Sequence, residues 1–492
     1  MSDAFGETQN SSVVLPLENQ PGLAEIRLNN DMRARSACTL QTPADVAASW
    51  NRQGSPPPRN NQGPASMTPL PHLNRKANMN QRFQHQLDGT MGSHRSLQES
   101  RTVPVLYRPL MLLGERLRYG QLTLTLPDGN RYLFQGQDRG PHAELTIQNA
   151  RFLSRFLAGG AEGLAEAYMA GDCDTPDLAA FLYLAALNME YWGERMYGNL
   201  FYRVFQRTLH RLRPNSQRGS KRNIAYHYDL GNDFYAAWLD SSMTYSAALF
   251  EDPDQSLTEA QLAKYRRLAE CAGIRPGDSV LEIGCGWGGF AEYLARTYDA
   301  RVTAITISDE QYAYARARIQ RAGLDHLVEI RHQDYRDVDA RYDRIVSIEM
   351  FEAVGEQYWP LFFERLRSYL KPRGRAALQI ITISSRHFER YRRGADFIQN
   401  YIFPGGMLPS PEVLQGHIRQ NGLVCTTDRG FGQDYARTLA IWRARFEAAW
   451  PRLDHASFDE RFRRMWNYYL AYCEAGFRTG RIDVRHVTLA HS

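Results

Sequence analysis

VLEIGCGWGG, residues Val280–Gly289, is the stretch whose reading decides the fold. A short apolar run leads into Gly284, Gly286 and Gly288 at alternate positions, and a helical pattern starts immediately afterwards. Glycine permits a tight turn there and lets the backbone approach a ligand where a Cβ would collide. The helix that follows points its unpaired N–H groups at the same bend. Glu282 stands two residues before the first glycine and the loop contains no lysine, which argues against a phosphate-gripping loop. An ordinary strand-to-helix turn and the nicotinamide and flavin sites share this spacing, so the rest of the chain has to decide.

Beyond the bend, strand-like and helix-like stretches alternate. Strands are expected at Ser279–Ile283, Val302–Ile307, Leu327–His332, Tyr342–Ile348 and Arg375–Ile383, with helices at Gly288–Tyr298, Asp309–Ala322 and Gln357–Leu370. Near-continuous apolar strands separated by helices predict a parallel sheet covered on both faces, with the ligand beyond the carboxyl ends of the strands. Those ends supply the candidate site. The first gives Glu282 and the glycine turn with Cys285. The second gives Thr306, Ile307 and Ser308, followed by Gln311; S-x-x-Q is also a helix-cap signature, which accounts for Ser308 and Gln311 without a ligand. The third ends in Gln333, Asp334 and Tyr335, a hydrogen-bonding pair and a ring suited to an adenine edge. The fourth ends in Glu349-Met350-Phe351-Glu352, and Glu352 is a functional candidate because an unpaired charge just past a buried strand is costly. After Ile383 the chain leaves the sheet for an Arg- and aromatic-rich insertion, residues 386–406, and returns at Leu423–Asp428. It finishes with helices in WRARFEAAW and FRRMWNYYLAYCEAGFR.

The 492 residues allow two or three domains. Residues 1–101, rich in Asn, Gln, Pro, Ser and Arg, lack the apolar periodicity to offset ordering entropy and are expected to be a disordered extension. A small α+β domain is expected over 102–200: QLTLTLPDGNRYLFQG alternates about an Asp128-Gly129 turn, AELTIQ adds a strand, and helices break at Gly159-Gly160 and near Gly171. Residues 201–221 form a basic helix and linker with seven Arg or Lys between Arg203 and Lys221–Arg222 and no acid, either a solvated helix or a surface for anionic lipid headgroups. The last domain is expected over 222–492. A net charge of +5 does not indicate nucleic acid. The six scattered cysteines have no C-x-x-C pair or zinc-like His spacing, so no metal site is expected and a reducing compartment is the simplest reading. Without a signal sequence or an apolar run of about 18 residues, the protein is expected to be cytoplasmic.

VLEIGCGWGG, TAITIS, HQDYRD, DRIVSIEMFEAVG, YIFPGGMLPS and FRRMWNYYLAYCEAGFRTGRIDV together resemble the cyclopropane-fatty-acyl-phospholipid synthase family, relatives of the mycolic acid cyclopropane synthases. The similarity runs from about Asn223 to Val484, and LAEAYMAGDCDTPDL extends it weakly into the small domain. The resemblance implies a class I methyltransferase domain that uses S-adenosylmethionine on the double bond of a lipid acyl chain. Tyr245 and Ser246 match the pair beside the sulfonium, Glu282 to Gly288 would hold the methionine moiety, Thr306 to Gln311 the ribose, and Gln333 to Tyr335 the adenine. Family members bind a bicarbonate base, and the matching positions here are Ala247, Glu352, Gln379, Ile381 and Tyr435. Cys473 matches a cysteine suspected of a catalytic role in the family; a buried structural thiol is the alternative.

Two positions depart from that pattern. Ala247 stands where the family usually has Cys, and Gln379 where it has His. Alanine offers an anion only its backbone N–H, and glutamine cannot change protonation near neutral pH. The chemistry implied is attack of an alkene on the sulfonium methyl, leaving a carbocation that aromatic faces stabilise by about 2 kcal/mol each. Loss of a proton from the new methyl closes a cyclopropane, whereas a hydride shift followed by proton loss at a neighbouring carbon gives a methylene- or methyl-branched precursor. The implied partner is a bilayer with unsaturated phospholipid, approached from the inner face of the membrane, with a second copy of the chain as a further candidate partner. Methylation of a different small-molecule acceptor and a cofactor-binding relative without catalysis remain the competing readings.

Overall fold

The computed structural model describes residues 105–193, 230–394 and 396–492. The expected extension, residues 1–101, and the basic helix and linker, residues 201–221, lie outside the described residues. Helices of eight or more residues are numbered below.

The amino-terminal part is built as its turn chemistry dictates. β1 (Tyr119–Thr125) and β2 (Arg131–Gln135) pair antiparallel across the Asp128-Gly129 turn, where Gly129 takes φ 82°. β3 (Asp138–Ile147) begins earlier than AELTIQ suggests and lies parallel to β1, giving the order β2-β1-β3-β4 with the two-residue β4 (Cys173–Asp174). α1 (Arg151–Gly159) and α2 (Ala161–Met169) are separated at Gly160, and α3 (Leu178–Trp192) starts at Asp177, whose carboxylate accepts from the Ala180 N–H.

The second part is a seven-stranded sheet. α4 (Leu257–Ala272) opens on a full capping box, Ser256 with Glu259. Then follow β5 (Ser279–Ile283), α5 (Gly289–Tyr298), β6 (Arg301–Thr306), α6 (Asp309–Arg321), β7 (Val328–His332), β8 (Tyr342–Ile348), α7 (Trp359–Tyr369) and β9 (Leu370–Ile383). α8 (Ser385–Arg392), α9 (Pro411–Gln420), β10 (Leu423–Gly430), α10 (Gly432–Ala449), α11 (Glu460–Arg478) and β11 (Ile482–His491) complete it. The sheet order is β10-β11-β9-β8-β5-β6-β7, with β5 to β9 parallel and β11 running antiparallel between β9 and β10.

The alternation of strand and helix from β5 to β9 follows the sequence pattern closely. The pattern does not assign β11. IDVRHVTLAH mixes His486 and Thr488 with Val484, Val487 and Leu489, and all five are buried because helices cover both faces of this inner strand. A doubly buried strand with polar residues lacks the alternation that marks a half-exposed one.

The two parts share one hydrophobic core. Leu122, Ile147 and Phe152 belong to the same cluster as Trp238, Trp442 and Trp466, so α11 packs against both. Arg464 on α11 donates through Nη2 to the Cys173 carbonyl at 2.8 Å, and Tyr401 donates to Glu166 at 2.9 Å. Trp466, 1% exposed, stacks on Phe462 at 5.6 Å and meets Phe234 edge-on at 5.0 Å. Trp466→Ala is expected to destabilise the fold by about 3–5 kcal/mol through loss of packing and the cavity left behind. Urea unfolding followed by far-UV circular dichroism checks this.

Candidate functional site

The carboxyl ends of β5, β6, β7, β8 and β9 surround one cavity of about 900 Å3. Glycine at the β5 bend is required sterically: a Cβ on Gly284 would lie 2.8 Å from Met350, and Gly284, Gly286 and Gly288 all take positive φ. Glu282 is buried beneath the bend. Its Oε2 has no hydrogen-bond partner among the described residues, and burial pushes its pKa up to about 8 against the opposing pull of Lys264. An open glycine cradle above an unsatisfied buried carboxylate suits a ligand carrying a cationic group, as the methionine end of S-adenosylmethionine does.

Thr306 donates to Gln311 Oε1 at 2.9 Å, which leaves the Gln311 amide nitrogen for the cavity they both line. Ser308 caps α6 by accepting from the Gln311 N–H and, like Gly288, is not part of the cavity wall. Ile307, Cys285, Gln333 and Tyr335 line it. Asp334 lines it too, but its two oxygens are gripped by the Arg336 guanidinium at 2.8 and 2.6 Å. Burial holds the Cys285 and Cys473 thiols well above the usual range, so both are neutral.

Tyr245 sits in an aromatic box, with Trp238, Trp442 and Tyr235 at ring separations of 5.5, 5.3 and 5.4 Å, and its hydroxyl meets that of Tyr469 at 2.7 Å. Ser246 is fixed from behind by α4: Lys264 Nζ donates to its Oγ at 2.7 Å and Gln261 to its carbonyl at 2.9 Å. Lys264 is wholly buried. Desolvation lowers its pKa to about 7, opposed by the carboxylates of Glu349, Asp240 and Glu282. Nothing in the amphipathic sequence of α4 sets Lys264 apart from an ordinary surface lysine.

The centre of the site is Glu349, the first residue past β8. Its φ of 49° lies in the left-handed region, which costs a non-glycine residue roughly 1–2 kcal/mol. Three donors from three elements hold the carboxylate there. The Ala247 N–H and the Gln379 amide reach Oε1 at 2.9 and 2.7 Å, and the Tyr435 hydroxyl reaches Oε2 at 2.6 Å. His486 on β11 settles the amide's orientation. Gln379 Nε2 must donate to a carboxylate, so Gln379 Oε1 accepts from His486 Nε2 at 2.8 Å, and that nitrogen carries the proton. Glu352 lies beside this group and accepts from the Ile381 N–H, while its Oε2 has no partner among the described residues. Burial, reinforced by the charge of Glu349, raises the Glu352 pKa to about 8; burial raises that of Glu349 also, against its three hydrogen bonds.

Ala247, Gln379, Ile381, Glu352 and Tyr435 are therefore gathered in one place, but Glu349 occupies the donors. Bicarbonate does not fit this arrangement: the Ala247, Gln379 and Tyr435 donors are used, and a second anion beside Glu349 would be repelled. Sequence reasoning passed over Glu349 because it reads as one of two acids at a strand end; its left-handed backbone is visible only in three dimensions.

A parallel sheet extended by an antiparallel pair, with a glycine bend and an acid at the first strand end, is the fold of the class I methyltransferases. Residues 215–487 match the mycolic acid cyclopropane synthetase family, and the chain belongs to it. It is 41% identical over 346 residues to the tuberculostearic acid methyltransferase of Mycobacterium tuberculosis, covering 66% of this chain and 78% of that protein. It is 38% identical over 355 residues to the cyclopropane-fatty-acyl-phospholipid synthase of Escherichia coli K12, covering 71% and 88%. The crystal structure of mycolic acid cyclopropane synthase CmaA1 complexed with SAH and CTAB superposes with a TM-score of 0.52 at 32% identity, over 55% of this chain and 97% of that one. The protein is thus an S-adenosylmethionine-dependent enzyme of acyl-chain modification.

The raised pKa of Glu352 has a defined effect on stability. A carboxyl that holds its proton more tightly when folded contributes fully below its unfolded value of 4.5, and this is lost as pH rises toward about 8. Glu352→Gln removes that loss. Its stability relative to wild type is expected to improve by a few kcal/mol between about pH 5 and pH 8, at up to about 1.4 kcal/mol per unit. Denaturant unfolding at the two pH values checks the sign.

Proposed function

We propose that this enzyme transfers a one-carbon unit from S-adenosylmethionine to the double bond of an unsaturated phospholipid acyl chain, closing a cyclopropane ring, with Glu349 as the proton acceptor. The observation that carries this reading is the buried Glu349 carboxylate, held by three donors in the wall of a cavity that also reaches the glycine bend. Bound S-adenosylmethionine supplies the electrophilic methyl group. Glu282 and the bend would hold its methionine end, Thr306 and Gln311 its ribose, and Gln333 and Tyr335 its adenine.

The remaining steps belong to the chain's own residues. Tyr245 and Tyr469, joined through their hydroxyls, present aromatic faces to the cation that forms on the acyl chain, a stabilisation of about 2 kcal/mol per face when water is excluded. Phe397, Phe403, Met407 and Leu408 give the chain an apolar path. Leaving about 10 methylenes in water instead would cost on the order of 8 kcal/mol, so the cavity must receive the chain directly from a bilayer. Glu349 takes the proton, and Gln379, Tyr435 and Ala247 keep its oxygens in place. Glu352, protonated more readily, adds no second negative charge.

A second product is favoured by one observation. The two named departures from the family pattern, Ala247 and Gln379, both hold the proposed base, and the position of the base decides which proton leaves. After a hydride shift from the methyl-bearing carbon of the same cation, loss of a proton from the methyl gives a methylene branch, and loss of one from the adjacent chain carbon gives a methyl-branched alkene.

Glu349→Gln keeps the shape and loses the proton acceptor. Methyl transfer is expected to fall by about 10²–10⁴-fold with S-adenosylmethionine affinity unchanged, while wild-type turnover is indifferent to removing dissolved carbon dioxide. Mass spectrometry of total fatty acids from an expression host lacking such activity reads the gain of one methylene unit, and fragmentation separates ring from branch. A fully active Glu349→Gln enzyme removes Glu349 from the reaction.

A further inference from the structure

The same cavity has a charged border that the transfer chemistry does not use. Arg386 and His387 on α8, and Arg481 in the turn between α11 and β11, all line it. The turn and the helix are tied by the Ser384 N–H, which donates to the Arg481 carbonyl at 2.9 Å. The Arg386 side chain is 75% exposed and that of His387 14%, so the group runs from solvent inward. His387 is oriented by the Ser384 hydroxyl, 2.6 Å from its Nδ1, which leaves Nε2 at the other end of the ring.

Arg386 and His387 share one acid. Glu190, itself half-exposed, lies 3.4 Å from both Arg386 Nη1 and His387 Nε2. The Arg481 guanidinium, partly buried, makes no hydrogen bond or ion pair among the described residues. Burial, and then the charges of Arg481 and Arg386, lower the pKa of His387, which places both guanidiniums close to the ring. A guanidinium with its donors unpaired is open to an anion, and its planar fork matches the non-bridging oxygens of a phosphate.

Ion pairs around the group absorb other cations of the insertion but not Arg481: Arg392 binds Glu356 at 2.7 Å and Arg393 binds Glu389 at 3.3 Å. The lining next in sequence to these cations is apolar, with Ile383 before α8 and Ile482 after Arg481. A cationic rim on a greasy cavity is the complement of an amphiphile with an anionic head.

We propose that Arg481, with Arg386 and His387, binds the phosphodiester of the acyl lipid whose chain occupies the cavity. This rests on the reading of that cavity as an acyl-chain site. The phosphate fixes how deep the chain can enter and therefore which carbon–carbon bond reaches Glu349. Free phosphate has the same chemistry and is separated from the lipid by the test.

The full chain, saturated with S-adenosylhomocysteine, is titrated calorimetrically with dihexanoylphosphatidylglycerol, with dihexanoylglycerol and with inorganic phosphate. Arg481→Gln is expected to weaken the phospholipid by about tenfold and Arg386→Gln by about threefold, with dihexanoylglycerol unaffected. Unchanged S-adenosylhomocysteine binding shows that each variant is folded, and Arg386, at the surface, gives a variant with little structural burden. The proposal is overturned if Arg481→Gln binds the phospholipid as wild type does, or loses the same factor for dihexanoylglycerol. It is also overturned if only inorganic phosphate binding depends on Arg481. Because binding needs no turnover, a wild type that binds in this Arg481-dependent way but transfers no carbon removes the proposed reaction and leaves the phosphate site standing.

Discussion

A carboxylate taken out of water must be met by donors, and at Glu349 the donors come from three distant parts of the chain. Ala247 precedes it by about a hundred residues, Gln379 follows on the neighbouring strand, and Tyr435 lies on α10. Their convergence requires β9 beside β8, which brings Gln379 opposite the end of β8, and β11 beside β9, which puts His486 behind Gln379. The left-handed backbone at Glu349 is a local cost that this convergence sustains. The order of strands and the arrangement of donors around Glu349 are therefore one fact.

Behind that group runs a second electrostatic layer. Lys264, buried on α4, is close enough to Glu349, Glu282 and Asp240 for each to favour its charged form. It meets the reacting side through Ser246, whose hydroxyl it holds. A buried cation shared among carboxylates limits how much negative charge gathers around the cavity, and Glu352 contributes less because it holds its proton more tightly. The site thus contains one carboxylate surrounded by donors and others whose ionisation is restrained.

Apolar and charged surfaces are separated along the cavity. The glycine bend is polar, the middle wall is aromatic and aliphatic, and α8 with Arg481 returns to charge. The amino-terminal part contributes Leu182, Ala185 and Met189 to the apolar wall, and its core is continuous with that of α11. Among the described residues no helix is long and apolar enough to cross a membrane.

Much of this was determined by the sequence alone. Local rules suffice for VLEIGCGWGG, for the strands at Ser279–Ile283 and Tyr342–Ile348, for the Asp128-Gly129 hairpin and for the Ser308 cap, because turn chemistry and apolar periodicity act over a few residues. Family resemblance brought Ala247, Gln379, Ile381, Glu352 and Tyr435 together as one pocket. Only the tertiary structure decided what fills that pocket. The role of Glu349 depends on a positive φ and on three donors far apart in sequence, and that of His486 on a strand covered on both faces, where polar residues hide the period. Lys264 and Arg481 look like ordinary surface cations until the fold buries one among carboxylates and leaves the other without an anion, since charge acquires meaning from its surroundings in space rather than from its neighbours in the chain.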